Sequence, residues 1–211
     1  MDLSEVRQEY RQRILDKTSV DANPLVQLEK WLIEAKGASC MEYTAMTIAT
    51  SNADGQPSVR TVLLKFLKPE GLYFFTNYLS RKGRDLAINN KVAAHFFWPE
   101  LERQVKIDGI AHKASPEISD SYFNSRPLES RISAVASKQS VEVPDRETLE
   151  KSWSEEHKRL AVTKIERPES WGGYLIKPTR VEFWQGREYR LHDRILYQKC
   201  IDGWNVKRLS P

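Results

Sequence analysis

Residues 43–77 read YTAMTIATSNADGQPSVRTVLLKFLKPEGLYFFTN, and the fold turns on them. Three runs rich in Thr, Val, Ile, Leu, Tyr and Phe are separated by two turn signals, Asn52-Ala53-Asp54-Gly55 and Lys68-Pro69-Glu70-Gly71. That punctuation predicts strands over 44–51, 57–67 and 72–77, joined as a meander. Upstream, residues 3–16 (LSEVRQEYRQRILD) read as a polar helix, and Asn23-Pro24 caps a second one, LVQLEKWLIEAK. Downstream, Ser80-Arg81-Lys82 opens a short helix that runs to Ile88 and stops at Asn89-Asn90. KVAAHFFW and RQVKIDGIAHKA form the next strand pair. Helices follow from Pro116 to Asn124, from Pro127, and from Asp145 to Leu160. The chain then returns to strand in GGYLIKPTRVEFWQG, EYRLHDRILYQK and, after the Asp202-Gly203 turn, WNVKRL. Antiparallel strands without strand-helix-strand alternation predict a mainly β protein with α elements, a small β-barrel surrounded by helices. No repeat or linker divides the 211 residues, so they read as one domain.

Composition narrows the function. With 40% hydrophobic and 29% charged residues and no apolar run near the roughly 20 residues that span a bilayer, the chain reads as globular, soluble and not membrane-bound. The opening MDLSEVRQEYRQR is too charged for a secretory signal, which makes the cytoplasm the expected location. Cys40 and Cys200 stand in no disulfide or zinc-ligand spacing, so no metal site is expected. A net charge of +4 suits an anionic partner. Nucleic acid is disfavoured, because the cations form no continuous stripe with interleaved aromatics. The phosphate-loop, dinucleotide and zinc-protease signatures are absent, and only nine glycines occur. Phosphates would have to be held by Arg, Lys, hydroxyls and helix N-termini.

Four segments offer such groups. In Arg60-Thr61-Val62-Leu63-Leu64-Lys65, period-2 alternation sends Arg60 to one face of a strand and Lys65 to the other. Ser80-Arg81-Lys82 brings cations to a helix start, where free backbone N–H groups converge, although a capped surface helix would look the same. Tyr122 to Ser130, with Ser137-Lys138-Gln139-Ser140, repeats hydroxyl and guanidinium donors at helix ends, where ordinary capping is the alternative. Glu182 to Arg194 carries Trp184 and an Arg190, His192, Arg194 series that alternation would place on one face; three basic groups sharing a face call for an anion.

Taken together, R-x-V-L-L-K at 60–65, S-R-K at 80–82, E-R-Q at 102–104, Y-F-x-S-R-P at 122–127, S-K-Q-S at 137–140, S-W-G-G at 170–173 and E-F-W-Q-G…R-L-H-D-R at 182–194 resemble the pyridoxine/pyridoxamine 5′-phosphate oxidase family. The likeness runs in order from Arg7 to Pro211. It implies an FMN-binding split β-barrel homodimer with sites at the subunit interface. It also implies oxidation of pyridoxamine 5′-phosphate and pyridoxine 5′-phosphate by O2 to pyridoxal 5′-phosphate, with release of H2O2. FMN would be held by Arg60, Thr61, Val62, Leu63, Leu64, Lys65, Phe75, Thr76, Arg81, Lys82, Gln104, Gln139, Ser140, Trp184 and Arg194. The substrate would meet Lys65, Tyr122, Arg126 and Ser130 at its phosphate, and Arg190, Leu191 and His192 at its ring, with Arg190 and His192 in the catalytic role. Residues 1–20 would form a mobile lid, closing through Arg7, Gln8, Glu9 and Tyr10. The chain departs from the family pattern at Tyr43, where Pro is usual, and at Val135, where Trp is usual.

Overall fold

The computed structural model describes residues 1–5, 9–10, 13–160 and 165–211. Among these residues, nine strands form one antiparallel sheet: β1 (Ala45–Ser51), β2 (Pro57–Leu63), β3 (Phe66–Lys68), β4 (Gly71–Asn77), β5 (Lys91–Trp98), β6 (Arg103–Lys113), β7 (Trp171–Gln185), β8 (Asp193–Cys200) and β9 (Gly203–Leu209). The order is β2-β1-β5-β6-β7-β4-β3, with β8 and then β9 added beyond the upper half of β7. Burial alternates along the central strands. Met46 and Ile48 of β1, Phe96 and Trp98 of β5, and Val105 and Ile107 of β6 all face the core.

The expected strand 57–67 is two strands, and the first three do not form a meander. Leu64 N–H donates to Thr44 O at 2.8 Å, whereas Lys65 N–H donates to Tyr73 O at 2.9 Å. Adjacent residues thus bond to opposite ends of the sheet, so the sheet must curl until its ends meet at residues 64–65. β4 then finds its long partner in β7, not in β2.

Six helices were expected and five are found among the described residues: α1 (Pro24–Gly37), α2 (Arg81–Ile88), α3 (Pro116–Ser125), α4 (Leu128–Ala136) and α5 (Arg146–Leu160). The one not found is 3–16, whose described residues are not helical. Tertiary partners satisfy the backbone there: Leu15 N–H donates to Asp193 Oδ2 and Leu15 O accepts from Arg208. α1 begins as read, with Asn23 Oδ1 accepting from Leu25 N–H at 2.9 Å and Pro24 in the first turn. Its buried face, Leu28, Trp31, Leu32 and Ala35, closes one end of the barrel, Trp31 meeting Phe183 edge-on at 5.0 Å. A second, smaller core of Phe123, Ile132, Leu160, Ile165 and Trp171 fixes α3 and α4 beside the end of β4. None of the described helices is long and apolar enough to cross a membrane.

Candidate functional site

A cleft of about 800 Å3 runs along edge strand β2, past the end of β4 and the start of α2, to α3, α4 and residues 139–140. That volume suits a cofactor or substrate. Its floor along β2 is Arg60, Thr61, Val62 and Leu63, with Lys65 beyond the break. Leu64, expected among them, is instead a core residue at 6% exposure, on the same strand parity as Val62, which packs against that core.

At one end sits Lys82. Ser80 caps α2 through its hydroxyl, which accepts from Gly83 N–H, and so aims Lys82 back toward β4. Gly83 is required there, since a Cβ would lie 2.0 Å from Tyr78 O. The Lys82 ammonium donates to Thr76 Oγ1 and Gln139 Oε1, both at 2.9 Å, and to Ser80 Oγ at 3.3 Å. All three acceptors are neutral, yet Lys82 is only 8% exposed. Burial, assisted by the charge of Arg60, pushes its pKa down to about 8. Of the two readings of this helix start, the capped surface helix does not describe Lys82, which is buried. Arg60 is held by Thr50 Oγ1 and Ser58 Oγ at 2.7 and 2.6 Å, with Asp85 at 3.8 Å. Arg81 lines the cleft from an exposed position.

At the other end Phe75, Tyr122 and Trp171 stack as an aromatic wall, with Phe75 and Tyr122 centroids 3.9 Å apart. Arg126 lies 4.7 Å over Trp171, and its Nη1 is buried with no hydrogen-bond partner. Burial lowers the Arg126 pKa and raises that of Tyr122. Ser130 also lines the cleft, as does Ser140, next to Gln139 and with a left-handed backbone at φ 68°.

The remaining expected residues form a separate cluster. Gln104, Trp184 and Arg194 are register partners across β6, β7 and β8, on the sheet face turned away from the main core. None of the three is among the residues that line the cleft, although β7 reaches the cleft at its other end through Trp171. Tyr10 packs edge-on against Trp184 and His192, both at 5.8 Å, while Trp184 and His192 are 4.6 Å apart. Gly186 allows this approach, because a Cβ there would lie 2.7 Å from Tyr10 Cβ. Glu9 is exposed beside it, and Arg7 and Gln8 lie outside the described residues. His95 shares a hydrogen bond of 3.1 Å with Gln104.

The single face read for Arg190, His192 and Arg194 is not found. Tyr189 and Arg190 both take left-handed backbones, φ 56° and 60°, within a 3-10 turn, and strand geometry resumes only at Asp193. Two consecutive left-handed residues reverse the chain, so alternation does not carry across them. Arg190 and Leu191 are exposed. His192 turns inward, its Nδ1 accepting from Arg187 N–H at 3.1 Å, and burial followed by the Arg190 charge lowers its pKa. Sequence reasoning assigned no role to Trp171 or Glu182. The first could be suspected only from its place in S-W-G-G; the second shares strand parity with Trp184, two residues on.

A curled antiparallel sheet with a cation-lined cleft at its edge is the architecture of the split-barrel fold. The same fold is seen at TM-score 0.71 and 14% identity in a pyridoxamine 5′-phosphate oxidase-related, FMN binding protein from Nostoc punctiforme PCC 73102, over 94% of this chain and all of that one. Residues 38–158 match the family model described as pyridoxamine 5′-phosphate oxidase, and 171–211 that described as the pyridoxine 5′-phosphate oxidase C-terminal dimerisation region. The chain belongs to the pyridoxine/pyridoxamine 5′-phosphate oxidase family, and is an oxidoreductase. It is 50% identical to the pyridoxine/pyridoxamine 5′-phosphate oxidase of Ralstonia pickettii (strain 12J), over 99% of both chains. It is 47% identical to that of Bacteroides thetaiotaomicron, over 100% of this chain and 99% of the other. PhzG from Burkholderia lata 383, solved with tetrahydrophenazine-1-carboxylic acid, superposes at TM-score 0.88 and 30% identity, over 94% of this chain and 98% of PhzG.

Proposed function

We propose that the chain is an FMN-dependent homodimeric oxidase that converts pyridoxamine 5′-phosphate and pyridoxine 5′-phosphate to pyridoxal 5′-phosphate, with O2 reduced to H2O2. The observation that carries this reading is a cleft with a cation short of partners at each end and an aromatic wall at one of them. Lys82 is a buried ammonium held only by neutral oxygens, and Arg126 presents a buried N–H with no partner. Buried charge is costly unless paired, so both positions fit phosphates, one of a cofactor and one of a substrate.

Lys82, Arg81, Arg60 and the neighbouring hydroxyls Thr61 and Ser140 would hold the FMN phosphate and ribityl chain, with Thr76 and Gln139 orienting Lys82. Phe75, with the β2 backbone of residues 60–63, would flank the ring system. Lys65, Tyr122, Arg126 and Ser130 would take the substrate phosphate. FMN, when bound, supplies acceptance of a hydride from the substrate and return of the electrons to oxygen. The chain's own part is alignment and charge. His192 has its Nδ1 lone pair engaged by Arg187 N–H, so its neutral form carries the proton on Nε2 and presents a donor. Arg190 would bear on the substrate ring, and Tyr10 and Glu9 would close over it. The imine from the amine substrate would then be hydrolysed by water, releasing ammonia.

Gln104, Trp184, His192 and Arg194 are not among the residues lining the cleft of their own chain. A second copy seated on the outer face would bring them to its cleft, and that face exposes Val59 at 68% and Phe97 at 53%. The test is to purify the chain, measure its mass in solution, and follow oxygen uptake and peroxide release with pyridoxamine 5′-phosphate and pyridoxine 5′-phosphate. A yellow dimer that consumes oxygen only when one of these is added supports the reading. A colourless protein, or one oxidising only a reduced phenazine carboxylate, overturns it.

A further inference from the structure

Glu182 lies on the outer face of β7, the face turned from the main core, yet it is only 3% exposed. Cations cover it. Arg194 donates through Nε to Oε1 at 2.9 Å and through Nη2 to Oε2 at 3.1 Å, while Arg180 and Lys106 approach singly at 3.6 and 3.7 Å. Burial works to raise the Glu182 carboxyl, but the Arg194 hydrogen bonds and the three charges outweigh it and keep it below its ordinary range. The two contacts differ in kind. Arg180 and Lys106 are about half exposed, and such single-point pairs are weak. Arg194 makes a planar two-point pair on a buried carboxylate, the geometry that fixes a guanidinium in position and in plane.

Arg194 is further held by Nη1, which donates to Ser210 O at 2.8 Å. A guanidinium has five N–H groups. With these three engaged, one N–H remains on each terminal nitrogen. Three cations around one carboxylate also leave the cluster net positive, so it can still attract an electron-rich ligand.

We infer that Glu182 is a positioning residue for the cofactor: it fixes the plane of Arg194 so that the two remaining N–H groups face bound FMN. This rests on the proposed placement of Arg194 at the cofactor. A carboxylate serving only the fold would need no planar pairing to a residue of the outer cluster, and its loss would be felt in stability alone.

The experiment is a double-mutant cycle on FMN affinity. The Kd of the stripped dimer for FMN is read from quenching of flavin fluorescence for wild type, Glu182→Gln, Arg194→Met and the double variant, alongside the apoprotein Tm. Arg194→Met should raise Kd on the order of tenfold. Glu182→Gln should raise it to within a fewfold of that, and the double variant should be no worse than Arg194→Met, because one interaction is removed twice. Wild-type Kd in Glu182→Gln with a raised Kd in Arg194→Met, or fully additive effects, would overturn the inference while leaving the cofactor assignment intact. Wild-type Kd in Arg194→Met would instead sink that assignment. If Glu182→Gln does not fold, Glu182→Asp serves. It keeps the charge but withdraws the carboxylate by one methylene, and it should also raise Kd; an unchanged Kd overturns the proposal.

Discussion

The cleft beside β2 and the cluster on the outer face of β6–β8 are both rich in cations, but they treat charge in opposite ways. In the cleft, Lys82 is buried among neutral oxygens and Arg126 has a buried N–H with no partner. In the outer cluster, Arg194 is paired with Glu182, and Arg187 and Arg208 with Asp193. Buried cations left without a counter-charge mark where an anion is to bind. Cations already paired mark where a side chain must be held in a fixed attitude. On the proposed function, the first region would be the pocket for two phosphates and the second the lid and orienting wall that one chain lends to another.

The comparison breaks most completely if the two regions never meet. Phe97→Glu on the outer face should yield monomers that keep their fold but lose FMN retention and oxidase activity; analytical ultracentrifugation and the flavin absorbance check it. Stoichiometric FMN on such a monomer would unite the regions within one chain. Next in size, Arg190→Met should lower kcat/KM by roughly a hundredfold, about 3 kcal/mol of transition-state stabilisation, while FMN stays bound. Loss of flavin instead would move Arg190 from the substrate to the cofactor.

Lys82→Ala should weaken FMN binding by roughly ten- to a hundredfold, on the scale of about 1.5–3 kcal/mol for a charge-assisted bond. Its pH dependence sharpens the point. The folded pKa of about 8 lies below the free value of 10.5, so the unfolded chain binds more protons between them. Apoprotein stability should therefore gain from Lys82 as pH rises from 8 towards 10.5, while FMN affinity falls by up to about tenfold per pH unit above 8. Titration calorimetry across that window should show the fall in wild type and its absence in Lys82→Ala. The smallest effect belongs to His192→Asn, a fewfold rise in KM. In wild type, kcat/KM should drop on the acid side only below the ordinary imidazole pKa of about 6.5, because burial and Arg190 favour the neutral ring.

Much of this is legible in the sequence. The runs at 44–51 and 72–77, the Asn23-Pro24 cap and the Ser80 start each rest on local chemistry, and each of these elements is found. What local chemistry could not reveal were the places where tertiary bonds overrule it. Residues 57–67 are continuous in pattern, but backbone bonds to Thr44 and Tyr73 break them at 64–65. Arg190 and His192 alternate in sequence, but the left-handed pair Tyr189-Arg190 removes the strand on which alternation depends. In the site, Arg60 to Leu63, Lys65, Phe75, Thr76, Arg81, Lys82, Tyr122, Arg126, Ser130, Gln139 and Ser140 do line one cleft. That Gln104, Trp184 and Arg194 stand apart from it needed the strand order.

The join at residues 64–65 also sets a timetable. β1 and β2 can pair as soon as both have been made, but β4 must wait for β7, whose pairing residues 171–176 follow about a hundred residues later. At roughly 5–20 residues per second of synthesis, LYFFTN spends on the order of 5–20 s with its long edge uncovered. The barrel therefore cannot close while the chain is still short of β7. During that interval an apolar strand with unpaired N–H and C=O groups is the segment most open to aggregation and most in need of a chaperone.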